Sequence, residues 1–404
     1  MATETLVARI SFSPLLAAML AACAGTDAIP LAEATVDTLP GGIIAVMSPG
    51  PTAWTDTSGW TLVPDGQLEG GVGSPGELIN PADVAVGDDG TVYVADTDPA
   101  VIKVYDSTGA FVRTIGRDGE GPGEFRVAYL AVRGRYLLVQ DPRVARASLF
   151  DTSGTFIRSW GTSCCFYGAP ALDEQGRILV RALNTPDMHA SWVLYRYDTL
   201  GTMLDTLLLP EPETKPANWT IRQGGRNMMS MLVPFSAQSR FNFRGAGGVI
   251  HGWSGEYRLF ISESGRDTLT AFGRAWTPEP LADERRDREY EERVRNIADN
   301  MDGMDEIEVR NQMSKGLMPS HLPAFESLNQ DPTGAIWVML DADSGLTRFD
   351  VFDSAGVYLG RVDAPGLIPA WQSSWGREAV YVREEDEMGL PRVARYRIVR
   401  STGS

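Results

Sequence analysis

Histidine and cysteine are scarce in this chain of 404 residues, three of each: His189, His251 and His321, and Cys23, Cys164 and Cys165. No two histidines stand at the close spacing that zinc ligands usually share, so a zinc centre is not expected. Basic charge is also in the minority. Lys and Arg number 36 against 53 Asp and Glu, a net charge of −17, which argues against nucleic acid and against anionic membrane surfaces as partners. The acidity is read mainly as a device for solubility. Beyond residue 22 no run is long and apolar enough to cross a bilayer. There is no Gly-x-Ser-x-Gly elbow, P-loop or dinucleotide fingerprint, so the catalytic residues stay unassigned.

What the chain does have is a repeated phrase: an aromatic residue, Asp, two further residues and Gly. It reads Tyr105-Asp106-Ser107-Thr108-Gly109, Phe150-Asp151-Thr152-Ser153-Gly154, Tyr197-Asp198-Thr199-Leu200-Gly201 and Phe352-Asp353-Ser354-Ala355-Gly356. The Asp at 151 falls 45 residues after the one at 106, and the next, at 198, follows 47 later. Short β-branched runs flank each phrase, and a period of this size signals a β-propeller. In the first repeat the strands read 83–86, 91–95, 101–105 and 111–115, joined by turns rich in Asp and Gly. Asp caps its own backbone there, and Gly accepts positive φ without a Cβ clash. Further units run over 129–158, from 169 to about 209, over 241–272 in degenerate form, and over 334–360. The last repeat has good strands at 379–382 and 393–399 but lacks a fourth. The stretch Ser58-Gly59-Trp60-Thr61-Leu62-Val63 resembles the missing outer strand. The expected fold is therefore all-β: a six-bladed β-propeller over 54–404, closed by an N-terminal strand, which leaves no open edge.

Residues 81–96, Ile102-Lys103-Val104-Tyr105-Asp106 and the linker Gly119-Glu120-Gly121-Pro122-Gly123-Glu124-Phe125 resemble an NHL repeat, and residues 71–78 echo the linker. The whole chain is similar to the bacterial six-bladed, NHL-like β-propeller lipoproteins. That resemblance implies a ring, but not its activity, since such rings carry binding modules, lyases and lactonase-like hydrolases alike.

Residues 1–22 read as a lipoprotein signal peptide, with Arg9 as a thin basic region and an apolar core over 10–20. Leu20-Ala21-Ala22-Cys23 matches a lipobox, which makes Cys23 the expected lipidation site. The expected location is the cell envelope after export, at the outer membrane because Ala24 rather than Asp follows the cysteine. The lipid would be the only membrane contact. Residues 23–53 read as a Pro- and Ala-rich tether, within which 42–47 would pair loosely with the ring wall. Residues 282–301 are dense in charge, with Tyr290, Val294 and Ile297 at helical spacing. They predict a helical insertion, about 280–318, between blades four and five. It would cover one rim or dock a partner.

The candidate ligand surface is the rim onto which the loops after each second strand open. It collects Asp98, Arg143, Arg181, His189, His321, Asp341, Asp343 and Arg383, with Asp96 and Asp141 read as turn caps. Cys164 and Cys165 fall on the same rim, as a vicinal disulfide, two free thiols or an intermolecular pair. Carboxylates and guanidiniums around a central hole can grip a polar ligand or, through oxygen ligands, calcium. No cofactor is expected, zinc and calcium being the alternatives. The leading expectation is an envelope-anchored binding module for a protein or saccharide. The alternative is a metal-assisted lyase or lactone hydrolase acting in the channel.

Overall fold

The computed structural model describes residues 34–49, 54, 59–162, 168–183, 192–209, 214–265, 267–301, 303–343, 345–369 and 372–401. These form a six-bladed β-propeller. Blade one is built from Pro81–Val86, Val92–Thr97, Ala100–Tyr105 and Phe111–Ile115, each strand antiparallel to the next. Blades two, three and five repeat this order, beginning at Tyr129–Arg133, Ala171–Leu172 and Ser327–Gln330. Blade six joins Ser373–Trp375, Ala379–Glu385 and Pro391–Arg400 to Trp60–Gln67, which supplies its outer strand. Trp60 pairs with Arg400 and Leu62 with Ile398, so the two ends of the ring are held by a ladder that shifts register only between Pro64 and Gln67.

The second strands are buried on both faces, as in Val92, Tyr93, Val94 and Ala95, because each blade lies between two others. The hydrophobic cores accordingly sit between blades. Ile102, Val104 and Ile115 of blade one pack with Leu130, Leu137 and Phe150 of blade two, and comparable clusters fill the other seams. A fully buried side chain of this kind contributes about 1.5–3 kcal/mol. Among the described residues the seam between blades three and four is the thinnest, with Leu194, Leu207 and Val249 at its centre.

The repeated phrase belongs to these seams. In the turn of blade one, Asp106 Oδ1 accepts from the Thr108 N–H at 2.8 Å and the Ala110 N–H at 3.1 Å, while Gly109 has φ +94°. In later blades the same glycine also abuts the outer strand of the preceding blade. A Cβ on Gly154 would stand 2.8 Å from Ile115, and one on Gly356 2.6 Å from Phe272. Both the backbone twist and the close approach exclude a side chain. The phrase thus marks the docking of blades one, two, three and five on their predecessors, while blade four uses Ser262-Glu263-Ser264-Gly265 at the same place.

Blade four departs from the scheme. Thr35–Leu39 and Ile43–Ser48, inside the span expected to be a tether, form a hairpin. Its second strand adds to the blade's outer strand, Thr270–Arg274, in parallel. Val46 and Ala45 are buried there, so this pairing is packed rather than loose.

Two connections between blades grow into a cap. A hairpin, Asn218–Gln223 with Arg226–Leu232, leads from blade three to blade four. Helices α1 (Asp283–Asn300) and α2 (Glu306–Gln312) lead from blade four to blade five. Tyr290, Val294 and Ile297 bury the apolar face of α1, the spacing its sequence predicts. They pack with Trp219, Ile221, Val309 and Met313 into a core separate from the blades. The Trp219 Nε1–H donates to the Ser314 carbonyl at 2.9 Å, and the Tyr290 hydroxyl donates to that of Met313 at 2.8 Å.

Candidate functional site: the capped central channel

The innermost strands of all six blades line a central cavity of about 1700 Å³. On the cap side its wall includes Met231 to Phe235 and, from α1, Arg285, Arg288, Glu289, Glu292 and Arg293. Both cap segments connect one blade to the next, and such connections leave the ring on the same face as the loops after each second strand. The cap therefore stands over the rim on which the sequence places the ligand surface.

Ion pairs clamp the cap to blade five. Arg285 grips Asp341 through two hydrogen bonds, 2.9 and 2.7 Å, and Arg288 donates to Asp343 at 3.0 Å. Phe235 of the cap lies under the Arg285 guanidinium, 5.0 Å from it. Below, Arg240 of blade four pairs with Glu326 of blade five at 3.0 Å, and burial pushes the Glu326 carboxyl up.

Across the channel is a second group. Asp83 lies in the innermost strand of blade one and Tyr129 in that of blade two. Arg181 and Arg383 come from the second strands of blades three and six. Asp83 Oδ2 accepts from the Leu130 N–H at 2.7 Å. Burial pushes its carboxyl up to about 6, against the opposing pull of that hydrogen bond and of Arg383 and Arg181. Burial also lowers both guanidiniums. Arg383 Nη1 donates to the Pro81 carbonyl at 3.2 Å and to that of Ala82. Arg181 rests on Gly168, where any Cβ would overlap the guanidinium.

Four of the expected rim residues, Arg181, Asp341, Asp343 and Arg383, thus meet in the channel wall. Asp98, Arg143 and His321 do not: each is exposed and outside the cavity lining, and His321 Nδ1 contacts the Ser320 hydroxyl at 3.0 Å. Cys23, Cys164, Cys165 and His189 lie outside the described residues. Asp96 accepts from the Ile79 and Asn80 N–H groups at 2.9 and 2.8 Å, and Asp141 from the Arg126 N–H at 2.6 Å, so both serve as caps. His251 is buried in the second strand of blade four, stacked on Phe260 at 5.4 Å, and burial lowers its pKa to about 4. Among the described residues no three His, Cys, Asp or Glu side chains group as metal ligands do.

Sequence reasoning missed Asp83, Tyr129, Arg240 and Glu326. The available signal was position. The first strand of every blade faces the axis, so a polar residue in such a strand is a channel residue. In the sequence Asp83 is only the first residue of the strand 83–86.

No family model matches this sequence, and no curated protein matches it. Among solved structures, the chain is similar to a Bacteroides fragilis protein that carries an exported-protein name. They share 13% identity over 85% of this chain and 98% of that one, with a TM-score of 0.48. It is also similar to a member of the DUF4221 family from Bacteroides vulgatus, with 12% identity over 85% and 100% of the two chains and a TM-score of 0.46. A catalytically inactive variant of virginiamycin B lyase from Staphylococcus aureus, solved with quinupristin, matches at 9% identity over 84% and 100%, with a TM-score of 0.42. At these levels of identity the class of the protein, a six-bladed propeller, rests on its own strand order.

Proposed function

We propose that this protein is an exported binding module of the cell envelope that takes a polar ligand at the capped mouth of its channel. The observation that carries the reading is the composition of the mouth, where ion-paired side chains of the cap and of blade five surround a concave opening walled by every blade. The lipobox supports anchoring through Cys23 at the outer membrane, and the net charge of −17 favours a protein or saccharide partner over nucleic acid. The NHL-like resemblance of the first two blades agrees with a lipoprotein of that group. The reading needs no cofactor. A channel lyase or hydrolase has less support, because Asp341 is committed to Arg285 and His251 to the interior of blade four.

Hydrogen-exchange mapping of the full-length protein with solubilised envelope protein and polysaccharide fractions tests the site. Protection is expected at α1, at 231–235 and at 341–343. Protection confined to the turns at Asp106, Asp151 and Asp353 would overturn it. Mass spectrometry of the mature N-terminus tests anchoring, and stoichiometric zinc or calcium in the purified protein would favour the enzyme reading.

A further inference from the structure

We propose that the cap is a hinged lid over the channel mouth, latched to blade five by Arg285 and Arg288, and that a ligand enters from this side when the latch opens. The inference deepens the binding-module reading and rests on it for what the lid admits.

Three observations carry it. The first is that the cap is built to move as one body. Its core runs from Trp219 and Ile221 of the hairpin to Val294, Val309 and Met313 of the helices, and among the described residues it includes none from a blade. The Trp219–Ser314 and Tyr290–Met313 hydrogen bonds tie its own parts together. A piece that buries its apolar surface within itself exposes little when it shifts against the ring.

The second is the latch. The ion pairs from α1 to the ring end at the close of one strand, Ile336–Asp343: Arg285 on Asp341 and, at 3.7 Å, on Asp343, and Arg288 on Asp343. Charged contacts at a surface exchange for water and salt, as a packed apolar seam does not. The two halves of the latch are unequal. The side chains of Arg285 and Asp341 are 15% and 11% exposed and doubly hydrogen-bonded, whereas those of Arg288 and Asp343 are 52% and 35% exposed. The Arg285 pair therefore carries most of the hold.

The third is the hinge. The cap joins the ring through two connections, and both flank blade four. In one, 279–281 lie beside 320–322 as a narrow neck, where the Leu281 N–H donates to the Ser320 carbonyl at 2.9 Å and the Leu322 N–H to that of Glu279 at 2.8 Å. In the other, just before the chain enters blade four, Phe235 adopts φ +62°, a left-handed backbone that strains a bulky residue. Its ring lies under the Arg285 guanidinium, so the strained residue and the latch meet. Opening the latch frees Phe235 to relax, which lowers the cost of the open state.

The test reads access to the channel. Ser327 lines it from the innermost strand of blade five, and its hydroxyl is buried without a hydrogen-bond partner, so Ser327→Cys is a mild reporter. The full-length protein with this substitution is treated with a bulky polyethylene-glycol maleimide. The rate at residue 327 is followed by peptide mass spectrometry, with the native thiols in place, and divided by that of free glutathione. Raising sodium chloride from about 0.05 M to about 1 M should speed modification at least about threefold. Arg285→Ala should speed it at least about fivefold in low salt and remove most of the salt effect, and Arg288→Ala should do less. Asp341→Asn attacks the same pair from the ring and should match Arg285→Ala. Circular dichroism and the melting temperature check that each variant is folded. The amides of α1 should stay protected from hydrogen exchange throughout, because the lid swings intact. A rate at residue 327 unmoved by salt and by the folded variants would overturn the inference. So would α1 amides that lose protection in step with that rate, since the cap would then be melting rather than swinging. If envelope material protects 231–235 and 341–343 while the rate never moves, the module reading stands and the lid falls. If the lid opens while no envelope fraction protects the mouth, the reverse holds.

Discussion

On the turn rim, Asp106, Asp151 and Asp198 are half-buried at the protein surface. Hydrogen bonds from Thr108, Ser153 and Thr202 hold their carboxyls below the usual range. On the channel wall, Asp83 accepts one backbone hydrogen bond, and burial pushes it the other way, up to about 6. The same residue type serves the turns at one surface and lines the channel at another. The difference is solvation. A turn carboxylate collects donors without leaving water, whereas a channel carboxylate loses water before its few partners can compensate. Frequent aspartate in the repeat is therefore evidence about turns, and a single aspartate in an innermost strand marks the channel wall.

The sharpest way to break this comparison is at Asp350, a third case, wholly buried at the seam of blades four and five. It accepts from the Tyr257 hydroxyl at 2.7 Å, Arg274 Nε at 2.5 Å and the Tyr358 hydroxyl at 3.1 Å. Asp350→Ala strands the buried Arg274 charge and should cost about 3–5 kcal/mol in urea unfolding. A loss below about 1 kcal/mol would show that partners do not decide the worth of a buried carboxylate.

Asp83→Asn should act in the opposite sense. Because the folded-state pKa lies above the unfolded value, the wild type is unpenalised below about pH 4 and loses stability as the pH rises towards 6. The variant should therefore gain up to about 3 kcal/mol at pH 7.5 and nothing at pH 4. Denaturation at both pH values checks this, and an unchanged difference between them would count against it.

His251 gives the mirror image. Its folded pKa, about 4, lies below the unfolded value, so the wild type is fully stabilised above pH 6.5 and loses stability as the pH falls towards 4. His251→Phe should abolish that acid loss of up to about 3 kcal/mol. In the wild type the two titrations offset each other between pH 4 and 6, so either variant alone should steepen the profile there. The smallest effect is expected at Asp106→Ala, a slightly lower melting temperature with the same dependence of stability on pH between about 5 and 7.5 as the wild type. A changed dependence in that range would remove the distinction between the two surfaces.

Much of the ring was legible in the residues. The Asp-x-x-Gly phrase marks the turn after the third strand in blades one, two, three and five, and the missing fourth strand at the C-terminus pointed to residues 58–63, which fall at the start of Trp60–Gln67. Helix α1 was legible because Tyr290, Val294 and Ile297 share one face. The cap hairpin was not assigned, although Gly224-Gly225 marks its turn, because no blade claims it and its apolar face is satisfied only by α1 and α2. The N-terminal strand's place on blade four was also hidden, since parallel pairing leaves no turn signal between Ile43–Ser48 and Thr270–Arg274. Of the site, Arg181, Asp341, Asp343 and Arg383 could be found from their places in the second strands. Asp83 was passed over because its strand, Asp83-Val84-Ala85-Val86, otherwise looks like an ordinary apolar run, and Glu326 because it precedes the short strand Ser327–Gln330.

By itself the sequence determined the blade count, the closure of the ring and the face on which the long connections gather. These follow from local periodicity, turn chemistry and the need to leave no strand edge unpaired. Only the tertiary structure decided which charges meet. Asp83 and Arg383 lie 300 positions apart, and Arg181 about a hundred from Asp83. They share one wall because closing the ring sets blades six, one, two and three around a common axis, and their burial there, not their spacing in the chain, alters their charge.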